Sequence, residues 1–313
     1  MVKAPQSRQN SPGSASDTRS QADVTAGDVP KILMAAHTAA ASILAGEHTR
    51  KKSGQGESFW QFREYAQHDR PQDIDWRQSA KTDRVYVREK EQQSSQTLMV
   101  WVNDGEGMSW RSSNNIPTKR IMSEVIALAI SIIASRSGEM FRLLQPGTRP
   151  VRTDKAIEDL ASTLFEGRRR DSALETLLSC FVPERSIPVL IGDFLCPVDT
   201  LNTALSGFAE KCENGAIVQV LDPAELSLPY QGRVEFTSAD GGAREIVENV
   251  SSVRQTYQDR LLDHNISIRD LARKYGWTYY QTTTDQSLTS LVQNLWMALA
   301  LDTKTKDIGG ITR

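Results

Sequence analysis

"MVWVNDGEGMSW", residues Met99–Trp110, is the stretch on which the reading of this chain turns. Its apolar run, Met99–Val102, stops at Asn103-Asp104 and then meets Gly105 and Gly107. An apolar run bounded by turn formers reads as a strand buried on both faces. A strand that delivers an acidic residue to a glycine-rich turn ahead of a helix often builds a metal or phosphate site.

Outward from that stretch, strands alternate with helices. A helix is expected over 119–137, with Ile121, Val125, Leu128 and Ile132 facing inward. "MFRLLQPGTRPVR" reads as a hairpin turning at Pro146-Gly147, followed by helices at 154–166 and 171–180. "IPVLIGDF" and "AIVQVLD" are further buried strands, separated by a helix at 199–212. A hairpin around Gly232 (226–237), helices at 246–264 and 266–275 and the strand "WTYYQTT" follow. A last helix is expected to be capped by Asp285. No internal repeat is present. This alternation predicts an α/β, Rossmann-type fold with a mainly parallel sheet covered by helices on both faces.

The organisation expected from texture has four parts. Residues 1–28, rich in Ser, Gln, Asp and Thr, read as a disordered tail. Residues 29–96 begin with a helix carrying Ile32, Leu33, Ala36, Ala40, Ile43 and Leu44, then turn dense in charge and aromatics, with short strands around Phe59–Tyr65 and Val85–Val87. Residues 97–302 hold the α/β domain, and 303–313 a flexible C-terminus.

Bulk properties narrow the function. With 37 Lys plus Arg against 39 Asp plus Glu, the net charge is −2, and no basic excess points to nucleic acid. Cys180, Cys196 and Cys212 are too few and too scattered for a zinc knuckle or a disulfide framework, and read as idle thiols. The apolar segment 125–134 falls short of the ~20 residues of a membrane span, and residues 1–30 have no signal-peptide core. A cytoplasmic protein without an integral membrane segment is expected. No Gly-x-Ser-x-Gly elbow, phosphate loop or His-Glu-x-x-His helix is found, so an enzyme is not expected. His68, Asp69, Asp73 and Asp75 form the one cluster that a hydrolase could use. "GRRRD" (167–171) reads as a solvated helix boundary.

Ligands of open parallel sheets sit beyond the carboxyl ends of the strands, where the strand order reverses. Two strands here end in an acid, Asp104 and Asp193, and such a pair suits a hard cation such as Mg²⁺.

A second set of residues carries a resemblance. Gly56, Phe59, Arg63-Glu64-Tyr65, Asp69, Ile74-Asp75-Trp76 and Ser79-Ala80, continued by "RVYVRE" (84–89), is similar to the hallmark run of the domain-of-unknown-function family 58. The likeness extends weakly through "IGDF", "VLDPAE" and "YYQTTTD". It implies a modified von Willebrand factor A-like fold with a small β-containing insert before it. It also implies a MoxR-type AAA+ ATPase as partner, in maturing or remodelling client proteins. That fold usually carries an Asp-x-Ser-x-Ser metal site completed by a later aspartate. Asp104 matches the first position and Asp193 the later one, while Gly and Glu106 replace both serines. The expectation is therefore the outline of a metal site that has lost its hydroxyl ligands, in a non-enzymatic adaptor. The alternative is a cation-dependent ligand-binding module using Asp104, Glu106 and Asp193 with Mg²⁺, Mn²⁺ or Ca²⁺. The hallmark set Phe59, Arg63, Glu64, Tyr65, Asp69, Ile74, Asp75, Trp76, Arg77 and Ser79 is either a salt-bridged clasp around an aromatic cluster or a docking surface.

Overall fold

In the computed structural model of the chain, the described residues are 2–3, 29–48, 59–66, 71–81, 84–90, 96–166, 174, 177, 180–183, 185–238 and 242–307. They divide into two compact units, one of residues 1–44 and 96–313, the other of residues 45–95. The expected tail from residue 4 to 28, the "GRRRD" cluster, His68 and Asp69 lie outside the described residues.

In chain order the elements are β1 (Val2–Lys3), α1 (Val29–His48), β2 (Phe59–Glu64), α2 (Trp76–Ser79), β3 (Tyr86–Lys90), β4 (Thr97–Val102), α3 (Lys119–Arg136), β5 (Met140–Leu143), α4 (Asp154–Glu166), β6 (Ser186–Gly192), α5 (Val198–Ala209), β7 (Ala216–Leu221), α6 (Pro223–Ser227), β8 (Val234–Ser238), β9 (Arg244–Val247), α7 (Val250–Lys274), β10 (Thr278–Thr283) and α8 (Leu288–Asp307). The core of the larger unit is a five-stranded sheet in the order β10-β7-β6-β4-β5. Every neighbouring pair in it runs parallel.

The opening stretch is the axis of this sheet. All six residues of β4 are buried, because both of its faces are covered. Leu98, Val100 and Val102 point to one side, where α1, α3, α4 and α8 pack. Met99 and Trp101 point to the other, beneath α5 and α7. Period-two alternation splits one apolar run between two cores. Strand β6 tolerates Pro188 although it is central, because its ladder to β7 begins only at Val189. Gly215, just before β7, is required by packing: a Cβ there would lie 2.7 Å from the Trp277 ring.

Several boundaries differ from the sequence expectation. The sequence texture groups helix α1 with the hallmark segment, but Ile32, Ala36, Ala39, Ala40 and Ile43 are buried in the α/β core. The hairpin expected at 226–237 is displaced: Asp222 caps α6, and the hairpin is β8–β9, with β1 added along its β8 edge. Helix α7 runs unbroken for 25 residues, since nothing in "DHNIS" interrupts its hydrogen bonding. The expected return after β5 shrinks to one antiparallel bridge, Phe141 with Val151. Asp285 does not cap α8; its Oδ1 accepts the Thr283 hydroxyl, and α8 starts later, continuing past residue 302 to Asp307. Among the described residues no helix is long and apolar enough to cross a membrane.

The smaller unit is built on the antiparallel pair β2–β3. Asp75 caps α2 by accepting Gln78 N–H at 2.9 Å. The Ser79 hydroxyl donates to the Asp75 carbonyl and accepts the Tyr86 N–H, each at 2.8 Å. Phe62 and Tyr86 meet edge to face, with ring centroids 6.5 Å apart.

Candidate functional site at the carboxyl edge of the sheet

The strand order places β5 on one side of β4 and β6, β7 and β10 on the other, so the order reverses between β4 and β6. Asn103-Asp104 and Asp193 leave the sheet on either side of that switch point. The sheet therefore brings together the two strand ends that the sequence singled out.

The side chain that bridges these ends is Asn103. Its Nδ2 donates to Asp193 Oδ1 at 3.2 Å, while its Oδ1 accepts the Gly105 N–H at 3.0 Å. This close approach depends on Gly192, where a Cβ would sit 2.7 Å from the Asn103 Cβ. Asp104 is half-buried, and its carbonyl oxygen accepts Arg120 Nη2 at 2.5 Å. Glu106 opens a short 3-10 turn and is exposed. Among the described residues no three His, Cys, Asp or Glu side chains are arranged to hold a metal ion. Asp104, Glu106 and Asp193 are thus not gathered into one ligand set.

A cation of the protein itself fills the switch point. Lys119 is the first residue of α3, capped by Thr118, and its side chain is fully buried. Its Nζ donates to Asp193 Oδ2 at 3.0 Å and to Glu225 Oε1 at 2.6 Å. Both carboxylates are themselves nearly sealed, at 8% and 7% side-chain exposure, so solvent screens this triad little.

A lysine in a first helical turn opposes the helix dipole. A buried ammonium also loses its hydration shell. Two carboxylates offset both penalties here.

The local sequence explains how the acids are held. "DPAE" (Asp222–Glu225) is a capping box: Asp222 Oδ1 accepts the Ala224 N–H at 2.8 Å, and Glu225 Oε2 accepts the Asp222 N–H at 2.9 Å. Asp222 Oδ2 further accepts the Ser112 N–H at 2.8 Å, tying the loop after β4 to α6. Gln219 Nε2 donates to the Asp193 carbonyl at 2.9 Å and to Asn265 Oδ1 at 3.1 Å, anchoring the triad to α7. His264 Nε2 donates to the Phe194 carbonyl at 2.8 Å. Phe194 itself sits at φ 48°, a left-handed conformation that an aromatic residue holds only under tertiary constraint.

The charge count leaves one negative charge in excess, one ammonium against Asp193 and Glu225. Burial pushes the Glu225 carboxyl above its ordinary value, against the pull of Lys119. Burial, with the charges of Asp222 and Glu225 adding, also pushes the Tyr230 phenol up to about 12.

Sequence reasoning found Asp193 and missed Asn103, Lys119, Glu225 and Gln219. A signal for Glu225 was readable in the capping box. For Lys119 the only signal was its unfavourable place at a helix start. None of the three cysteines forms a disulfide, and burial pushes the Cys212 thiol up to about 11.

Of the hallmark residues, Asp75 and Ser79 brace the α2 turn, Arg63 donates to the Glu64 carbonyl at 3.0 Å, and Glu64 pairs with Arg84. Ile74 is half-buried and bridges Val87, and Tyr65 hydrogen-bonds Val85 through its backbone. Arg77 is exposed, and Trp76 is 67% exposed, so the expected aromatic cluster does not enclose it.

Two solved structures are similar to the chain. One is an aerotolerance-related membrane protein from Bacteroides fragilis NCTC 9343 with multiple mutations to serines, 12% identical over 65% of this chain and 98% of that one, at a TM-score of 0.40. The other is the conserved hypothetical protein BatB from Bacteroides thetaiotaomicron, 9% identical over 66% of this chain and 99% of that one, at a TM-score of 0.37. No curated protein matches. The family model described as protein of unknown function DUF58 matches residues 61–267, more than half of the 313, and the chain belongs to that family.

Proposed function

We propose that the chain is a non-enzymatic adaptor with a von Willebrand factor A-like domain, acting with a MoxR-type AAA+ ATPase on a client protein in the cytoplasm. The observation that supports this is the buried Lys119 ammonium at the switch point, bound to Asp193 and Glu225. The crevice in which such sheets take a ligand holds a group of the protein itself. Recognition then falls to surfaces, and Trp76 with Arg77 is the docking element. An exposed tryptophan on a braced turn has the character of an interface hot spot. The ATPase is carried by the family resemblance.

The test is binding of the purified chain, stripped of metal by chelation, to a purified MoxR-type ATPase from the source organism with Mg-ATP or Mg-ADP. Binding that depends on the nucleotide is expected, and Trp76→Ala should weaken it about 30-fold, the effect of a hot spot worth about 2 kcal/mol. No binding in either nucleotide state would overturn the partner. A rise in the wild-type melting midpoint with Mg²⁺, Mn²⁺ or Ca²⁺ would favour the cation-dependent module instead.

A further inference from the structure

The β8–β9 hairpin forms a second, smaller sheet, and the outer edge of β8 is only partly used. Val234 and Phe236 turn inward onto Leu228 and Val250, while Glu235 faces out and is exposed. The backbone alternates as well. The Ser238 N–H donates to the Ala243 carbonyl on the β9 side at 2.8 Å, so Phe236 and Val234 also bond toward β9. Thr237 and Glu235 therefore present their N–H and carbonyl groups to the other edge, where β1 lies antiparallel.

Strand β1 fills that edge in part. Val2 lies opposite Ser238 and Lys3 opposite Thr237, and among the described residues the pairing ends there. In the same register Ala4 would fall opposite Phe236, and Pro5 opposite Glu235. Proline has no N–H, so residue 5 cannot donate to the Glu235 carbonyl. The segment that begins this ladder is barred by its own sequence from completing it.

The register also sets the chemistry of a strand that would complete it. Residues opposite Ser238, Phe236 and Val234 turn inward, beside the apolar face, and those opposite Thr237 and Glu235 turn outward. Apolar residues suit the inward positions, and a basic residue suits the place opposite the Glu235 carboxylate. Val2, Lys3 and Ala4 follow that alternation, and Pro5 breaks it. A displacing strand would pair along all five residues of β8, against the two that β1 supplies.

We propose that the outer edge of β8 takes an extended segment of a partner protein by strand addition, one in which apolar and basic residues alternate, and that β1 holds this edge until such a segment displaces it. The edge belongs to the larger unit, whereas Trp76 and Arg77 belong to the smaller, and its use does not depend on the ATPase.

The experiment is fluorescence anisotropy of a labelled peptide, Val-Lys-Ala-Lys-Val, titrated with the full chain. Its residues run opposite Ser238 to Val234, with lysine where the chain has Pro5. Saturable binding is expected. N-methylation of the second lysine removes the N–H directed at Glu235 and should weaken binding about 5-fold. Lys3→Pro removes the N–H that β1 offers Thr237, and should free the edge and tighten binding about 5-fold. Glu235→Lys changes an exposed charge and leaves the core untouched. It should weaken binding about 5-fold with the melting midpoint held.

No saturable binding below about 1 mM would overturn the proposal, as would binding indifferent to N-methylation or to Lys3→Pro. A wild-type dimer that Lys3→Pro turns into monomers would assign the edge to β1 of a second copy, and the partner segment would fall. Peptide binding without ATPase binding leaves this edge standing and removes the ATPase. ATPase binding without peptide binding removes the edge and leaves the adaptor.

Discussion

Lys119 and Arg142 are both cations sealed inside the α/β unit, at 0% and 2% exposure, yet they are accommodated in opposite ways. Lys119 donates to two carboxylates. Arg142, on β5, has no hydrogen-bond partner for Nε or Nη1 among the described residues. Burial pushes its guanidinium below the ordinary value, with the neighbouring Cys180 acting the other way. A buried charge with matched partners becomes a structural tie, whereas one without them is a cost carried by the rest of the core. Burial alone does not distinguish the two; the counter-charges do.

The largest expected effect is at the supported cation. Lys119→Met keeps much of the side-chain volume but leaves Asp193 and Glu225 facing each other, and should cost about 3–5 kcal/mol in urea unfolding without metal. A loss under 1 kcal/mol would mean that the triad contributes as little as an exposed pair. Next is Gly192→Ala, whose methyl would press on Asn103 and loosen its hold on Asp193. About 1–3 kcal/mol of destabilisation is expected, read by the same titration. At the unsupported cation the sign should reverse. Arg142→Met removes two unsatisfied donors and should stabilise the chain by about 1–3 kcal/mol, visible as a raised midpoint. Destabilisation instead would reveal a partner for the guanidinium and end the contrast.

The smallest effect sharpens the balance within the triad. The folded-state pKa of Glu225 is raised, so the native chain holds that proton more tightly than the unfolded chain. Stability should therefore fall as pH rises from the unfolded value near 4.5 through the folded one, and level off above it. Glu225→Gln still offers Lys119 an oxygen and removes the surplus charge. Its midpoint relative to wild type should climb across that window, and a constant offset from pH 4 to 8 would refute the assignment.

How much of this was legible can be judged residue by residue. Strand β4 was readable because a strand covered on both faces must be apolar at consecutive positions, a pattern that survives without neighbours. Asp193 was readable because its strand has the same texture and ends in an acid. The bridging role fell to Asn103, whose Oδ1 accepts the Gly105 N–H while its Nδ2 donates to Asp193, a pairing across 90 residues that no local pattern announces. Lys119 read as an ordinary helix start because its partners lie 74 and 106 residues away.

The sequence by itself determined the α/β alternation, the buried central strands, the acids at their ends and the family to which the chain belongs. Only the tertiary structure decided that the switch point holds an ammonium, and which atoms hold it. Periodicity and capping are local properties, written within one or two turns of chain. The pairing of a buried charge is set where distant segments converge, and β6, α6 and α3 meet only when the sheet has formed.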